Sequence, residues 1–199
     1  MMLMLTVTLP CLSQVKPLYG VKLGYNASEV STASNTKMRP LGGICIGVYA
    51  DLAVIKRIHF QPEILYSVQG SRSYHTDPQT GESAGQSTLV IKYLNLPMVF
   101  KIYFGERFNF QVGAQVGRLI SAVNKGVAFL PKKLGTTSPN LMSIDYSLVL
   151  GAGYHFARHY NAGIRFNYGV SSIYKPTGST EVDNAYSNRV GNVYLAYTF

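Results

Sequence analysis

Apolar and polar residues alternate with a period of two along most of this chain. Tyr19, Val21, Leu23 and Tyr25 alternate with Gly20, Lys22, Gly24 and Asn26. Ile44, Ile46 and Val48 oppose Gly43, Cys45, Gly47, Tyr49 and Asp51. Ile58, Phe60, Pro62, Ile64, Tyr66 and Val68 oppose His59, Gln61, Glu63, Ser67 and Gln69. The same rhythm runs through Leu94–Ile102, Phe108–Val116, Ile144–Phe156, Tyr160–Tyr168 and Val193–Phe199. Alternation of this kind marks strands with one apolar face. No stretch holds the i, i+3, i+4 rhythm of an amphipathic helix for long, and no 18-residue apolar run occurs.

The spacers between these eight segments alternate in length. Residues 29–39, 72–88, 123–142 and 172–188 are long and rich in Ser, Thr, Gly, Asn and charge, whereas those around 53–57, 104–107 and 157–159 are short. Long connections at one end and tight turns at the other predict an all-β fold, an eight-stranded antiparallel up-and-down transmembrane β-barrel of the outer-membrane kind. Parity alone does not say which face is inside. The polar parity is full of Gly, Asn, Gln and Ser, which suits the crowded lumen of a small barrel. The other parity is bulky and apolar, which suits lipid. Tyr19, Tyr25, Phe108, Phe156, Tyr160 and Phe199 are expected near the strand ends as an aromatic girdle. The last strand, which ends on Phe199, should pair with the first and leave no free edge.

Composition sharpens this picture. The chain has 199 residues, with 15 Tyr and 19 Gly, and only 14% of residues are charged, well below the usual quarter. It carries 18 Lys plus Arg against 9 Asp plus Glu, a formal charge of +9. Parity sorts these charges. Lys92, Arg118 and Arg189 share the apolar parity near the long-loop end. There they would meet lipopolysaccharide phosphates at the outer interface, where charge costs little. Lys22, Asp51, Glu63, Lys101, Asp145 and Arg165 share the polar parity. Three are positive and three negative, which predicts a balanced network inside the lumen. Glu63 and Lys101 sit on neighbouring strands of one hairpin and are expected to approach each other.

Residues 1–13, "MMLMLTVTLPCLS", are apolar and too short to span a bilayer as a helix. Small residues precede a cleavage after Ser13, so 1–13 reads as the hydrophobic part of a secretory signal peptide and 14–199 as the barrel domain. A positively charged start is missing, which places the expected initiator upstream. Pro10 before Cys11 argues against a lipoprotein site. After cleavage Cys45 alone remains, so no internal disulfide forms.

The stretches "YGVKLGYNAS", "GGICIGVYADL", "FQPEILYSVQG", "KYLNLPMVFKIYF", "FQVGAQVGRLISA", "LGAGYHF", "AGIRFNYGVSSI" and "YLAYTF", in this order and spacing, cover residues 17–199. In them the chain resembles the PorT-like outer-membrane β-barrel proteins of Bacteroidetes. The resemblance implies an eight-stranded barrel, export by a signal peptide, and a terminal aromatic, here Phe199, read as an assembly signal by the barrel-assembly machinery. A role in secretion, tied to one member of that family, is not carried over.

Other candidate chemistry is weak. "GAGYHF" at 151–156 lacks the third Gly and the following helix of a dinucleotide site. His75 and Asp77 in "YHTD" would lie in a long loop, where a barrel hydrolase would place its residues; a solvated turn before Pro78 is the plainer reading. "NAS" at 26–28 matches a glycosylation sequon in an uninformative strand context. His59 and His155 point inward near the short turns, and Asp51 or Glu63 would have to complete a metal site; a hydrogen-bonded lumen explains them without metal. The basic residues scatter over loops and rims, which excludes a nucleic-acid face. The expected protein is therefore a non-enzymatic barrel of the cell outer membrane without cofactor or metal. Its expected role is structural or interactive, with a lumen closed to bulk flow. Outer-membrane lipid, lipopolysaccharide, the barrel-assembly machinery and an unknown extracellular or periplasmic partner are its expected contacts. An outer-membrane enzyme acting through its loops is the rival, and a soluble lipocalin-like binder a third reading.

Overall fold

The computed structural model describes residues 16–31, 38–76, 83–125, 132–134, 141–173 and 187–199. The segment 1–13 and Gln14, read above as signal and mature start, lie outside the described residues. Eight strands form the wall: β1 (Leu18–Ser31), β2 (Met38–Ile55), β3 (Ile58–Thr76), β4 (Ser83–Phe104), β5 (Phe108–Lys125), β7 (Ile144–His155), β8 (Tyr160–Ser172) and β9 (Ser187–Thr198). A short β6 (Lys132–Leu134) is added outside the ring, on the end of β5. Neighbours in sequence pair antiparallel around the wall, β4 pairs β5, and β9 pairs β1 from Gly20↔Thr198 to Ser31↔Ser187. The sheet closes on itself, so none of these eight strands carries a free edge along its paired length. The Phe199 N–H donates to the Tyr19 carbonyl at 2.9 Å and extends that closure to the last residue.

Alternation decides the faces. Val21, Leu23, Ile46, Leu148, Leu150, Ile164 and Val193 all point outward and are exposed, Ile164 at 61%. Lys22, Asn26, Gln61, Glu63, Ser67, Gln111 and Arg165 point inward and are buried. This inverts the arrangement of a water-soluble barrel. Aromatic rings join into chains at the short-turn end: Phe104, Phe110 and Phe108 meet edge to face, and Phe156, Tyr160, Tyr197 and Phe199 follow one another. Tyr25, expected at the rim, instead stands in the mid-wall beside Ile44 and Val193, with its hydroxyl over Gly42. A Cβ at Gly42 would lie 1.9 Å from that oxygen, so the ring lies flat only because the residue is Gly.

Two expectations change. The strands run beyond the expected limits: β1 continues to Ser31, β3 to Thr76 and β2 begins at Met38. Backbone pairing persists there although the side-chain alternation fades. The interior is also not polar throughout. Val30, Ile91, Tyr93, Leu119, Ala122, Leu141 and Ile173 form a buried apolar cluster toward the long-loop end. A bulge produces part of it: Lys92 pairs Ser121 while Tyr93 pairs Leu119. The extra residue shifts parity, so Leu119 and Ala122 both face inward.

Candidate functional site: charged interior and basic rims

β3 carries Glu63 inward, fully surrounded by cations and amides. Its Oε1 accepts Lys22 Nζ at 2.6 Å and an Arg165 guanidinium N–H at 2.7 Å, and its Oε2 accepts the second guanidinium arm at 2.9 Å. The Gln61 amide also donates to Glu63. The Arg165 Nε–H donates to Gln111 Oε1 at 2.7 Å, and the Gln111 amide donates to the Tyr194 hydroxyl at 2.6 Å. Lys22 Nζ lies 4.4 Å from the Tyr194 ring centre and Arg165 5.2 Å from it, which adds cation–π attraction. Tyr194 fits because Gly163 stands under its ring; a Cβ there would lie 2.5 Å from the Tyr194 oxygen. The buried Glu63 carboxylate is thus met by two cations and an amide, the condition under which buried charge is tolerated, whereas among the described residues the Gln61 Oε1 has no hydrogen-bond partner.

A second group sits nearer the short turns. Asp51 accepts from Lys101 Nζ at 2.9 Å and pairs with His59 Nδ1 at 2.5 Å. Tyr49 links the groups, with Lys22 and Lys101 each 5.7 Å from its ring centre. The structure thus brings Lys22, Glu63 and Arg165 together, and separately Asp51 and Lys101. Asp145 stands apart near the long-loop end and accepts from the Ser171 hydroxyl at 2.9 Å. The expected approach of Glu63 to Lys101 does not occur: the register sets Lys101 opposite His59, four residues along from Glu63. Gln61, Gln111, Tyr49 and Tyr194 were not singled out by sequence reasoning. Their inward parity was the available signal, but the strands they join are remote in sequence.

On the outside, Lys92, Arg118 and Arg189 each stand directly above a column of apolar wall residues. Leu94 to Ile102 lie below Lys92, Phe108 to Val116 below Arg118, and Val193 to Tyr197 below Arg189. Arg189 lies 5.2 Å over the Tyr168 ring, and among the described residues its buried Nε has no hydrogen-bond partner. Lys92 is not at a strand end, because β4 starts at Ser83. Two further cations join this rim. Arg39 and Arg72 are direct cross-strand partners, both exposed, with Arg39 5.2 Å over the Tyr74 ring. The bulge between Pro40 and Cys45 turns Arg39 outward.

The remaining sequence candidates resolve as follows. Asn26 of the sequon is buried and bonded to Ser67 Oγ at 2.9 Å, so it is no glycan acceptor in this fold. The glycine run lies within β7 and leads to no helix. Among the described residues no three His, Cys, Asp or Glu converge as for a metal. The His75 side chain and Asp77 lie outside the described residues.

A closed antiparallel ring with an apolar exterior, a polar interior and aromatic chains at one end defines a transmembrane barrel of the outer membrane. The chain belongs to the outer membrane protein beta-barrel domain family, whose model matches residues 13–175. Among solved structures it is similar to Neisserial surface protein A, with 12% identity over 91% of this chain and 97% of that one, at a TM-score of 0.51. It is also similar to Ail, the attachment invasion locus protein of Yersinia pestis, with 13% identity over 92% and 99% of the two chains, at a TM-score of 0.45. A search of curated proteins returns no match.

Proposed function

We propose that this outer-membrane barrel is a non-enzymatic envelope protein of the PorT-like kind, exported by a signal peptide. In this reading it acts through its long-loop end, and its lumen is shut to bulk flow. The observation that carries the closed lumen is the filled interior: the Glu63 cluster at mid-height and the Val30–Ile91–Leu119 cluster above it. An eight-stranded interior is just wide enough for side chains. Planar-bilayer recording tests it. The purified barrel is expected to give no steady conductance above the bare membrane; reproducible open-channel steps would refute the closed reading.

The outer rim binds lipid phosphate in the same reading. Arg39 and Arg72 face each other directly, which is unfavourable for like charges unless an anion lies between them. Among the described residues neither has a carboxylate within ion-pair distance. With Lys92, Arg118 and Arg189 they would hold lipopolysaccharide phosphates by charge-assisted hydrogen bonds. Native mass spectrometry is expected to find lipopolysaccharide retained by the wild type and lost when all five are changed to Gln. Equal retention by both proteins would leave these cations as side chains that merely reach water.

A further inference from the structure

The short-turn mouth of the lumen holds a cavity of about 660 Å³, bordered on the inside by the Asp51–His59 pair and apart from the Glu63 cluster and the outer rim. Its volume lies within the range of small-molecule sites, roughly 300–1,000 Å³. The floor is built from inward side chains. His59 is held through Nδ1 by Asp51, which leaves its Nε2 open to the cavity. Tyr103 lies between His59 and His155, with ring centres 4.7 and 5.9 Å away, and its hydroxyl bonds His155 Nε2 at 3.2 Å.

The cavity wall is cationic. Each of the three short turns contributes an arginine to it: Arg57 between β2 and β3, Arg107 between β4 and β5, and Arg158 between β7 and β8. Lys56 adds a fourth positive charge. Against these stand Glu106 on the rim and Asp51, whose charge Lys101 already meets. Among the described residues none of the four cations has a carboxylate within ion-pair distance.

These positions are fixed by backbone bonds between hairpins. The Tyr103 N–H donates to the Arg57 carbonyl at 2.8 Å, and the His155 N–H donates to the Arg107 carbonyl at 2.8 Å. The backbones of these two turns are therefore tied to their neighbours, which limits the backbone ordering that a ligand would require. Three guanidinium forks, each with paired N–H donors, match the oxygens of a phosphoryl group better than a single carboxylate.

We infer that the short-turn mouth is a binding site for a multivalent phosphate group, held by Arg57, Arg107 and Arg158 above a His59–Tyr103–His155 floor. The phosphate belongs either to a small solute entering the lumen mouth or to a lipid headgroup folded in from the wall. The inward floor favours the solute. Inorganic pyrophosphate is the probe. Calorimetric titration of the folded, full-length barrel in zwitterionic detergent is expected to show one saturable site. Arg57→Gln, Arg107→Gln and Arg158→Gln should each weaken it by about tenfold, as for loss of a hydrogen bond to a charged group, and the triple variant should abolish it. Arg39→Gln with Arg72→Gln, at the opposite end, should leave it unchanged. The single variants serve if the triple one does not fold. Repetition in nanodiscs separates the sources: binding kept in phosphatidylglycerol discs points to a solute, and binding kept only in phosphatidylcholine discs points to a competing headgroup. No saturable pyrophosphate binding, or equal affinity in wild type and the arginine variants, overturns the site.

Discussion

Glu63→Gln is expected to destabilise the barrel by about 3–5 kcal/mol, because it strands two buried cations. Glu63 is the carboxylate that both Lys22 and Arg165 contact, and all three side chains are almost wholly buried. The amide keeps the shape and one acceptor oxygen but removes the charge. Lys22 and Arg165 then repel each other across a lumen that water does not easily enter. Asp145→Asn is the matched control. Asp145 is also buried and inward, but no Lys or Arg pairs with it among the described residues, and its hydrogen bonds come from the neutral groups of Ser171, Asn188 and the Tyr146 backbone. Its loss should cost about 1 kcal/mol, the size of an ordinary hydrogen bond. Urea unfolding in lipid vesicles, followed by far-ultraviolet circular dichroism, measures both. Equal losses in the two variants would mean that the Glu63 cluster does not hold the lumen together. If Glu63→Gln stays as stable as wild type and begins to conduct, the cluster is a gate instead of a strut.

Leu148→Arg should cost about 2–4 kcal/mol and Ile144→Arg about 0–1 kcal/mol, although both replace an exposed apolar side chain on the same face of β7. Leu148 lies four residues further from the long-loop end than Ile144, paired with Ala114 and Tyr168. Ile144 starts β7 and pairs with Arg118, at the level of the basic rim. A charge at the first position sits in hydrocarbon, whereas one at the second reaches the interface. In water the two positions would be equivalent, since Leu148 is 54% exposed and Ile144 44%. Reversible unfolding from bilayers separates the two cases. Equal costs at both positions would displace the hydrocarbon zone from the height assigned here.

The faces of the strands were legible before any pairing was known. In a strand, each side chain's side follows from its own backbone and the count of residues along it. That local rule correctly put Lys22, Glu63, Lys101 and Arg165 inside, and Lys92 and Arg118 outside. Its count does not carry across a bulge. The bulge at Lys92–Tyr93 brought Leu119 and Ala122 to the same interior, and the bulge between Pro40 and Cys45 turned Arg39 to the outer rim. A bulge arises from how two strands fit each other, so one strand's sequence does not reveal it.

The number of strands, their alternating connections and the inside-out polarity were determined by the sequence alone, because each depends on residues close together in the chain. Which inward charges touch was decided only by the closed sheet. Arg165 reaches Glu63 across 102 residues and Lys22 reaches it across 41, whereas Lys101, the nearest candidate by hairpin, passes Glu63 by and binds Asp51. The convergence of Arg57, Arg107 and Arg158 around one mouth has the same origin. Three turns scattered along the chain become neighbours when the eight strands close into a ring. Contacts across that ring depend on register, tilt and stagger summed around the whole wall, and no local pattern carries that sum.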